Sequence, residues 1–302
     1  MTMTLQSWVL LLLLSLIWGA SFLFIEISLQ GFQPLTIAFL RVSISSLILL
    51  TFLYRKLPRD WQLWKIFILM GLINNTIPFT LIIWGQVHMT SSMASIMNAT
   101  APIFGAVFAH LFTQDEKLIP RKTLGVFIGF VGVTITMLPR LQEGFDMQGW
   151  GQAAGLGAAC FYALSSIVGK RLSETPPIIN MTCMMLSSSV MLLPIVLYID
   201  GPITLPSEIT PIFSVVILSV FCTAIAFLLY FRILAQAGAT NLLLVTFIMP
   251  VVAITIGALV LNEDIHPTSL YGMLAIFCGL ICIDGRIFKR MFCKPVKGKT
   301  LS

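Results

Sequence analysis

The chain has 302 residues, of which 58% are hydrophobic and 10% charged. So little polar surface cannot cover a water-soluble globule of this length, so the composition excludes a soluble enzyme or binding module and places the chain in a bilayer. The formal net charge of +6 does not point to a nucleic-acid partner, because the basic residues lie in short segments between apolar runs.

Crossing the hydrocarbon core takes roughly 20 apolar residues per helix. Ten apolar runs of about that length follow one another, at 7–29, 35–54, 65–87, 91–113, 123–139, 150–170, 178–199, 209–234, 239–262 and 268–288. They read as helices because they are continuous, as in "WVLLLLLSLIWGASFLF", whereas barrel strands alternate apolar and polar residues. The first run is expected to be an uncleaved helix and not a signal peptide. No Lys or Arg precedes it, and it outruns the usual ~7–15 apolar residues of a cleavable signal. The fifth run is short and needs its flanks to span.

Assigning each basic residue to a side of these spans puts 16 of the 18 Lys and Arg on the N-terminal side. Only Arg140 lies opposite, and Arg41 falls inside the second span. The positive-inside rule then predicts both termini in the cytoplasm. Five cysteines, Cys160, Cys183, Cys222, Cys278 and Cys282, lie within spans and Cys293 lies in the tail, so neither a disulfide framework nor a metal site is expected. The glycosylation patterns at Asn74, Asn98 and Asn180 are in or near the membrane and are not read as acceptors.

The stretch "DEKLIPRKTLGVFIGFVG", 115–132, returns as "EDIHPTSLYGMLAIFCG", 263–279. At an offset of 147, Glu116 falls on Glu263, Pro120 on Pro267, Gly125 on Gly272, Phe130 on Phe277 and Gly132 on Gly279, while Lys117, Arg121 and Lys122 lose their charge. Five crossings separate the copies, so the loops face opposite sides and the charge follows the compartment. That makes an inverted repeat of two five-helix halves. Upstream the offset becomes 148, and Pro102 meets Pro250 within spans 4 and 9, where a proline removes a backbone hydrogen bond and is expected to bend the helix. Inverted repeats with matched interruptions point to a secondary transporter with its site at the midplane.

This doubled unit resembles the EamA-type repeat of the drug/metabolite transporter superfamily. The resemblance is carried by "WGASF" from Trp18, "FLRVSISSLILL" with Arg41, the paired Pro102 and Pro250, and the Glu and Gly frame. It implies an all-α membrane protein with ten transmembrane helices as two inverted five-helix repeats. The first repeat would occupy 1–139, an external linker 140–149, the second repeat 150–288 and a basic cytoplasmic tail 289–302. The halves depart from each other in that Phe161 stands near the place of Trp18, and helix 7 has no Lys or Arg to match Arg41.

Charged side chains inside a span cost at least ~2.5 kcal/mol on insertion scales, which singles out Glu26 and Arg41. Counting from the outer ends at 1.5 Å per residue puts them about 5 Å apart in depth. Either they pair across the outer ends of helices 1 and 2, or each snorkels separately. Polar groups at mid-depth are the substrate-pathway candidates: Trp18, Ser21, Asn74, Asn75, Asn98, Thr100, Tyr162, Ser165, Thr223 and Thr246. Aromatic walls with a few hydrogen-bonding groups suit a small organic solute, although such residues also serve as interhelical glue. Asn74 and Asn75 are about 100° apart on a helix, so one should face the solute and the other should pack.

The expected function is secondary transport, as an exporter, of small organic solutes such as amino acids or related metabolites. It would proceed by alternating access in a bacterial inner membrane, with a proton as a possible coupling ion. No cofactor and no catalytic residue is expected. A membrane-embedded enzyme and a solute channel are the alternatives. Against the enzyme stand the lack of G-x-S-x-G and H-E-x-x-H patterns and of any span with two Asp, and against the channel the lack of charged rings along a pore; the lack of a P-loop pattern argues against ATP-driven pumping by this chain.

Overall fold

A computed structural model describes residues 4–284 apart from 114–117, 144–145, 173 and 243. Among the described residues, eight helices are long and apolar enough to cross a membrane. They are α1 (Leu5–Leu29), α2 (Pro34–Leu53), α3 (Trp61–Gln86), α4 (Ser91–Phe112), α5 (Pro120–Glu143), α6 (Met147–Val168), α7 (Pro177–Ile199) and α8 (Ile209–Ala237). Two shorter apolar helices follow, α9 (Val245–Val260) and α10 (Pro267–Asp284). Local chemistry sets several starts. Thr4, Asp60, Thr90 and Asp146 cap α1, α3, α4 and α6 by accepting a backbone N–H with the side-chain oxygen, while prolines occupy the first position of α2, α5, α7 and α10. A proline there forfeits no intrahelical bond.

The outer face is apolar, with Leu12, Leu47, Phe127, Val190 and Leu259 exposed, as a lipid-facing surface must be. Two pairs of equivalent helices, α5 with α10 and α2 with α7, pack antiparallel. In α5 and α10, a Cβ on Gly125 would lie 2.6 Å from the Gly279 carbonyl oxygen and one on Gly272 would lie 2.7 Å from that of Gly132. Each glycine thus meets the symmetry mate of the other's partner. In α2 and α7, Thr36 meets Asp200 and the hydroxyls of Ser43 and Ser189 are 2.6 Å apart. The recurring glycines are therefore the seam on which α5 and α10 pack backbone to backbone.

The recurring glutamate has a different task. The Glu263 carboxylate accepts from the N–H groups of Ser91 and Ser92 at 2.7 and 3.1 Å and from the Ser92 hydroxyl at 2.5 Å. A carboxylate there satisfies unpaired donors at the start of α4 and complements its dipole. Asp200 does the same at the start of α2, accepting from the N–H and hydroxyl of Thr36 at 2.8 Å each. Both acids come from the second half and hold the first. The Glu116 and Lys117 of the first copy, and the tail 289–302, lie outside the described residues.

Three features differ from the reading of the sequence. The run at 239–262 is divided into a short helix, Ala239–Leu242, and α9 from Val245. The two matched prolines behave differently. At Pro102 the hydrogen-bonded helix is interrupted at Ala99 and Thr100 and restarts with Ala101, whereas Pro250 lies within the continuous helix Val245–Val260. Finally, α3 and α8 each contain a π-helical turn, at Leu72–Thr76 and Val220–Ile225. These turns are 148 residues apart, the offset that relates Pro102 to Pro250. One extra residue in a turn re-aims the side chains that follow, and it does so at equivalent places in both halves.

Candidate functional site

A cavity of about 620 Å³ lies between the halves, with walls from α1, α2, α3 and α4 on one side and α6, α7, α8 and α9 on the other. It runs from Arg41 to the α6–α7 connection at Thr175 and Pro177. One wall is aromatic. Trp18 of α1 lies 5.7 Å from both Phe227 and Tyr230 of α8, and Tyr230 lies 5.3 Å from Phe231. These rings follow from "AFLLYF", 226–231, which puts three aromatics on nearby faces of one helix just after its π-helical turn.

The facing wall carries hydrogen-bonding groups. The Asn74 Oδ1 accepts from the Ser165 hydroxyl at 2.7 Å, and its Nδ2 donates to the Asn75 Oδ1 at 3.1 Å. Asn74 lines the cavity, while Asn75 is fully buried beside it. Asn98, in the last turn before the break in α4, also lines the cavity, and among the described residues its Oδ1 has no donor. The break leaves α4 able to place an amide at mid-depth. A buried carbonyl oxygen without a partner costs free energy until something fills the site.

The structure brings Trp18, Ser21, Asn74, Asn98, Tyr162, Ser165 and Thr246 of the expected residues to the cavity lining. Asn75, Thr100 and Thr223 are not among its lining residues. The Thr100 hydroxyl donates to the Met97 carbonyl at 2.6 Å, and Thr223 packs against α2. Reading the sequence missed Phe79, Met184, Phe227, Tyr230 and Phe231. Only the aromatic run of α8 left a signal, since Phe79 and Met184 look like ordinary core residues.

The ion pair considered between Glu26 and Arg41 is not formed. The Arg41 Nε donates to the Thr223 hydroxyl at 2.9 Å, and its guanidinium sits 4.0 Å from the centre of the Phe79 ring. Glu26 lies on another face of α1, where Gln86 donates to it at 3.4 Å, in a separate polar depression with Asp200. Similar depth does not bring side chains together when they leave their helices in different directions. Arg41 is 6% exposed and lines the cavity.

The hydrogen bonds of α2 and α7 fix which residues correspond between halves. The Ser45 hydroxyl donates to the Ser219 carbonyl and to that of Arg41, at 2.7 and 2.6 Å. The Ser188 hydroxyl donates to the Gly71 carbonyl and to that of Met184, both at 2.9 Å. Gly71 and Ser219 are 148 apart, so Ser45 corresponds to Ser188 and Arg41 to Met184. Both members of that last pair line the cavity.

Two antiparallel copies of one helical unit around a shared cavity define a multi-pass integral membrane protein of the transporter class. The profile of the EamA-like transporter family matches twice, at residues 6–138 and 149–283. The chain belongs to that family, which implies a membrane transporter of small solutes working in a lipid environment. It is similar to a protein of Archaeoglobus fulgidus named as an uncharacterized transporter, 25% identical over 92% of this chain and 98% of the relative. The YoaV transporter of Bacillus subtilis is 25% identical over 88% and 92%. The inner membrane transporter YedA of Escherichia coli K12 is 24% identical over 81% and 79%. A solved structure at 15% identity shares the fold with a TM-score of 0.67, over 94% of this chain and 98% of that one.

Proposed function

We propose that this chain is a secondary carrier that exports small organic solutes, such as amino acids or related metabolites, by alternating access between two inverted five-helix halves. In this reading the chain crosses the membrane ten times with both termini in the cytoplasm, and the repeats occupy 1–139 and 150–288. Trp18, Ser21, Asn74, Asn98, Tyr162, Ser165 and Thr246 contact the solute, while Asn75, Thr100 and Thr223 hold the wall in place. The observation that carries the proposal is the cavity itself, which both halves wall and which reaches the α6–α7 connection. That connection holds Lys170 and Arg171, so the positive-inside rule makes it cytoplasmic. At the opposite end Glu263 and Asp200 tie the halves together. The arrangement is that of an inward-facing carrier.

The test is flux in proteoliposomes containing the purified full chain and a radiolabelled panel of amino acids, purines and other metabolites, with and without a proton gradient. Saturable uptake, accelerated by unlabelled solute on the far side, is expected of a carrier. Trp18→Ala and Asn98→Ala should each reduce it severely at matched expression. Flux that never saturates and shows no counter-transport would indicate a channel. Reporter fusions after residues 60 and 173 should read cytoplasmic and those after 145 and 265 external.

A further inference from the structure

Among the described residues that line the central cavity, Arg41 is the one charged side chain. A guanidinium in a membrane interior is normally retained with a counter-charge, yet among the described residues no carboxylate pairs with it. Its Nε is engaged by the neutral Thr223 hydroxyl, and the ring of Phe79 covers its plane. Its two terminal nitrogens have no acceptor on the described chain. The carboxylates Glu26 and Asp200 belong to the other depression, where Gln86 and Thr36 engage them.

Thr223 and Phe79 therefore orient the fork without neutralising it. One edge is anchored, one face is stacked, and the remaining donors are left for whatever occupies the cavity. A planar guanidinium with free paired donors matches a carboxylate in bidentate geometry. Next to it, Trp18 and the α8 aromatics offer contact area for an apolar body. The second half places a neutral thioether, Met184, at the corresponding position, so the cavity has one anion-binding end and not two.

We propose that the cavity selects solutes that carry a carboxylate: Arg41 binds that carboxylate, the Trp18 and Tyr230 wall takes the apolar body, and organic cations without a carboxylate are excluded. This rests on the reading of the cavity as the solute site. The solute's carboxylate would supply the counter-charge that Arg41 has from no described residue.

The test uses three probes of nearly one shape, 3-phenylpropanoate, 3-phenylpropanamide and 3-phenylpropylamine, titrated calorimetrically into the full chain in lipid nanodiscs. The carboxylate should bind at least about tenfold more tightly than the amide, as a charge-assisted hydrogen bond implies, and the amine should not bind measurably. Arg41→Met, which copies the second half, should bring the carboxylate to amide ratio within about twofold, while Arg41→Lys should keep part of the preference. Should Arg41→Met fail to fold, the wild-type ratio decides alone. Equal affinity for carboxylate and amide, a preference that survives Arg41→Met, or no binding of any probe overturns the inference. None of these touches the carrier reading, which fails instead on absent counter-transport.

Discussion

The walls that the two halves contribute to the cavity share one backbone design and differ in chemistry. In the first half, α2 presents Arg41 next to the π-helical turn of α8, where Thr223 receives its Nε. In the second half, α7 presents Met184 next to the π-helical turn of α3, where Asn75 stands in place of Thr223 and bonds only to Asn74 among the described residues. The serine bridges to Gly71 and Ser219 are the same in both. Packing contacts are thus held equal where the halves must fit each other, and side chains diverge where they line the cavity. A repeat that was identical throughout would offer an asymmetric solute two identical ends.

This comparison can be broken most sharply where the halves are alike. Leucine at Gly125 or at Gly272 would drive a side chain into a facing carbonyl, and each should cost about 3 kcal/mol, the upper end for overpacking, seen as loss of folded protein on size-exclusion chromatography. A large loss from one and not the other would contradict the symmetric seam.

Where the halves differ, equivalent substitutions should have unequal effects. Thr223→Val strips a buried guanidinium of its one chain acceptor among the described residues and should lower solute flux about tenfold, because a hydrogen bond to a charged group contributes about 1.5–3 kcal/mol. Asn75→Ala at the corresponding place removes an amide whose Nδ2 has no acceptor among the described residues, and the flux should fall less than for Asn74→Ala, which opens the bridge to Ser165. Equal effects of Thr223→Val and Asn75→Ala would leave the functional difference between the walls without support.

A smaller effect is expected outside the cavity. Glu263→Gln removes the anion at the start of α4 and should lower stability by about 1 kcal/mol, read as a drop in unfolding temperature in detergent. The smallest concerns the serine bridges. Ser45→Ala and Ser188→Ala should each cost about 0.6 kcal/mol, the average for an interhelical hydrogen bond in a membrane, and the two values should agree.

Much of the fold was legible in the chain itself, since lipid leaves a backbone few options and continuous apolar runs become helices. The doubling was legible too, because Glu, Pro and Gly recur at one offset, and in the structure Glu263 holds the start of α4, Pro120 and Pro267 open α5 and α10, and the glycines make their close crossing. The mid-depth polar residues were a sound guide to the cavity, and most of them reach its wall. The amino-acid sequence alone thus determined the helical class and the repeat. What only the tertiary structure decided was direction. Depth along a helix follows from counting residues, whereas the face a side chain leaves by depends on local winding and on its neighbours. Asn74 and Asn75 share a depth, yet one lines the cavity and the other is sealed. Glu26 and Arg41 share a depth and never meet. The π-helical turn of α8 has no composition signal, and it sets how Thr223 stands toward Arg41, so the acceptor of the one cation among the described cavity residues could not be found by counting.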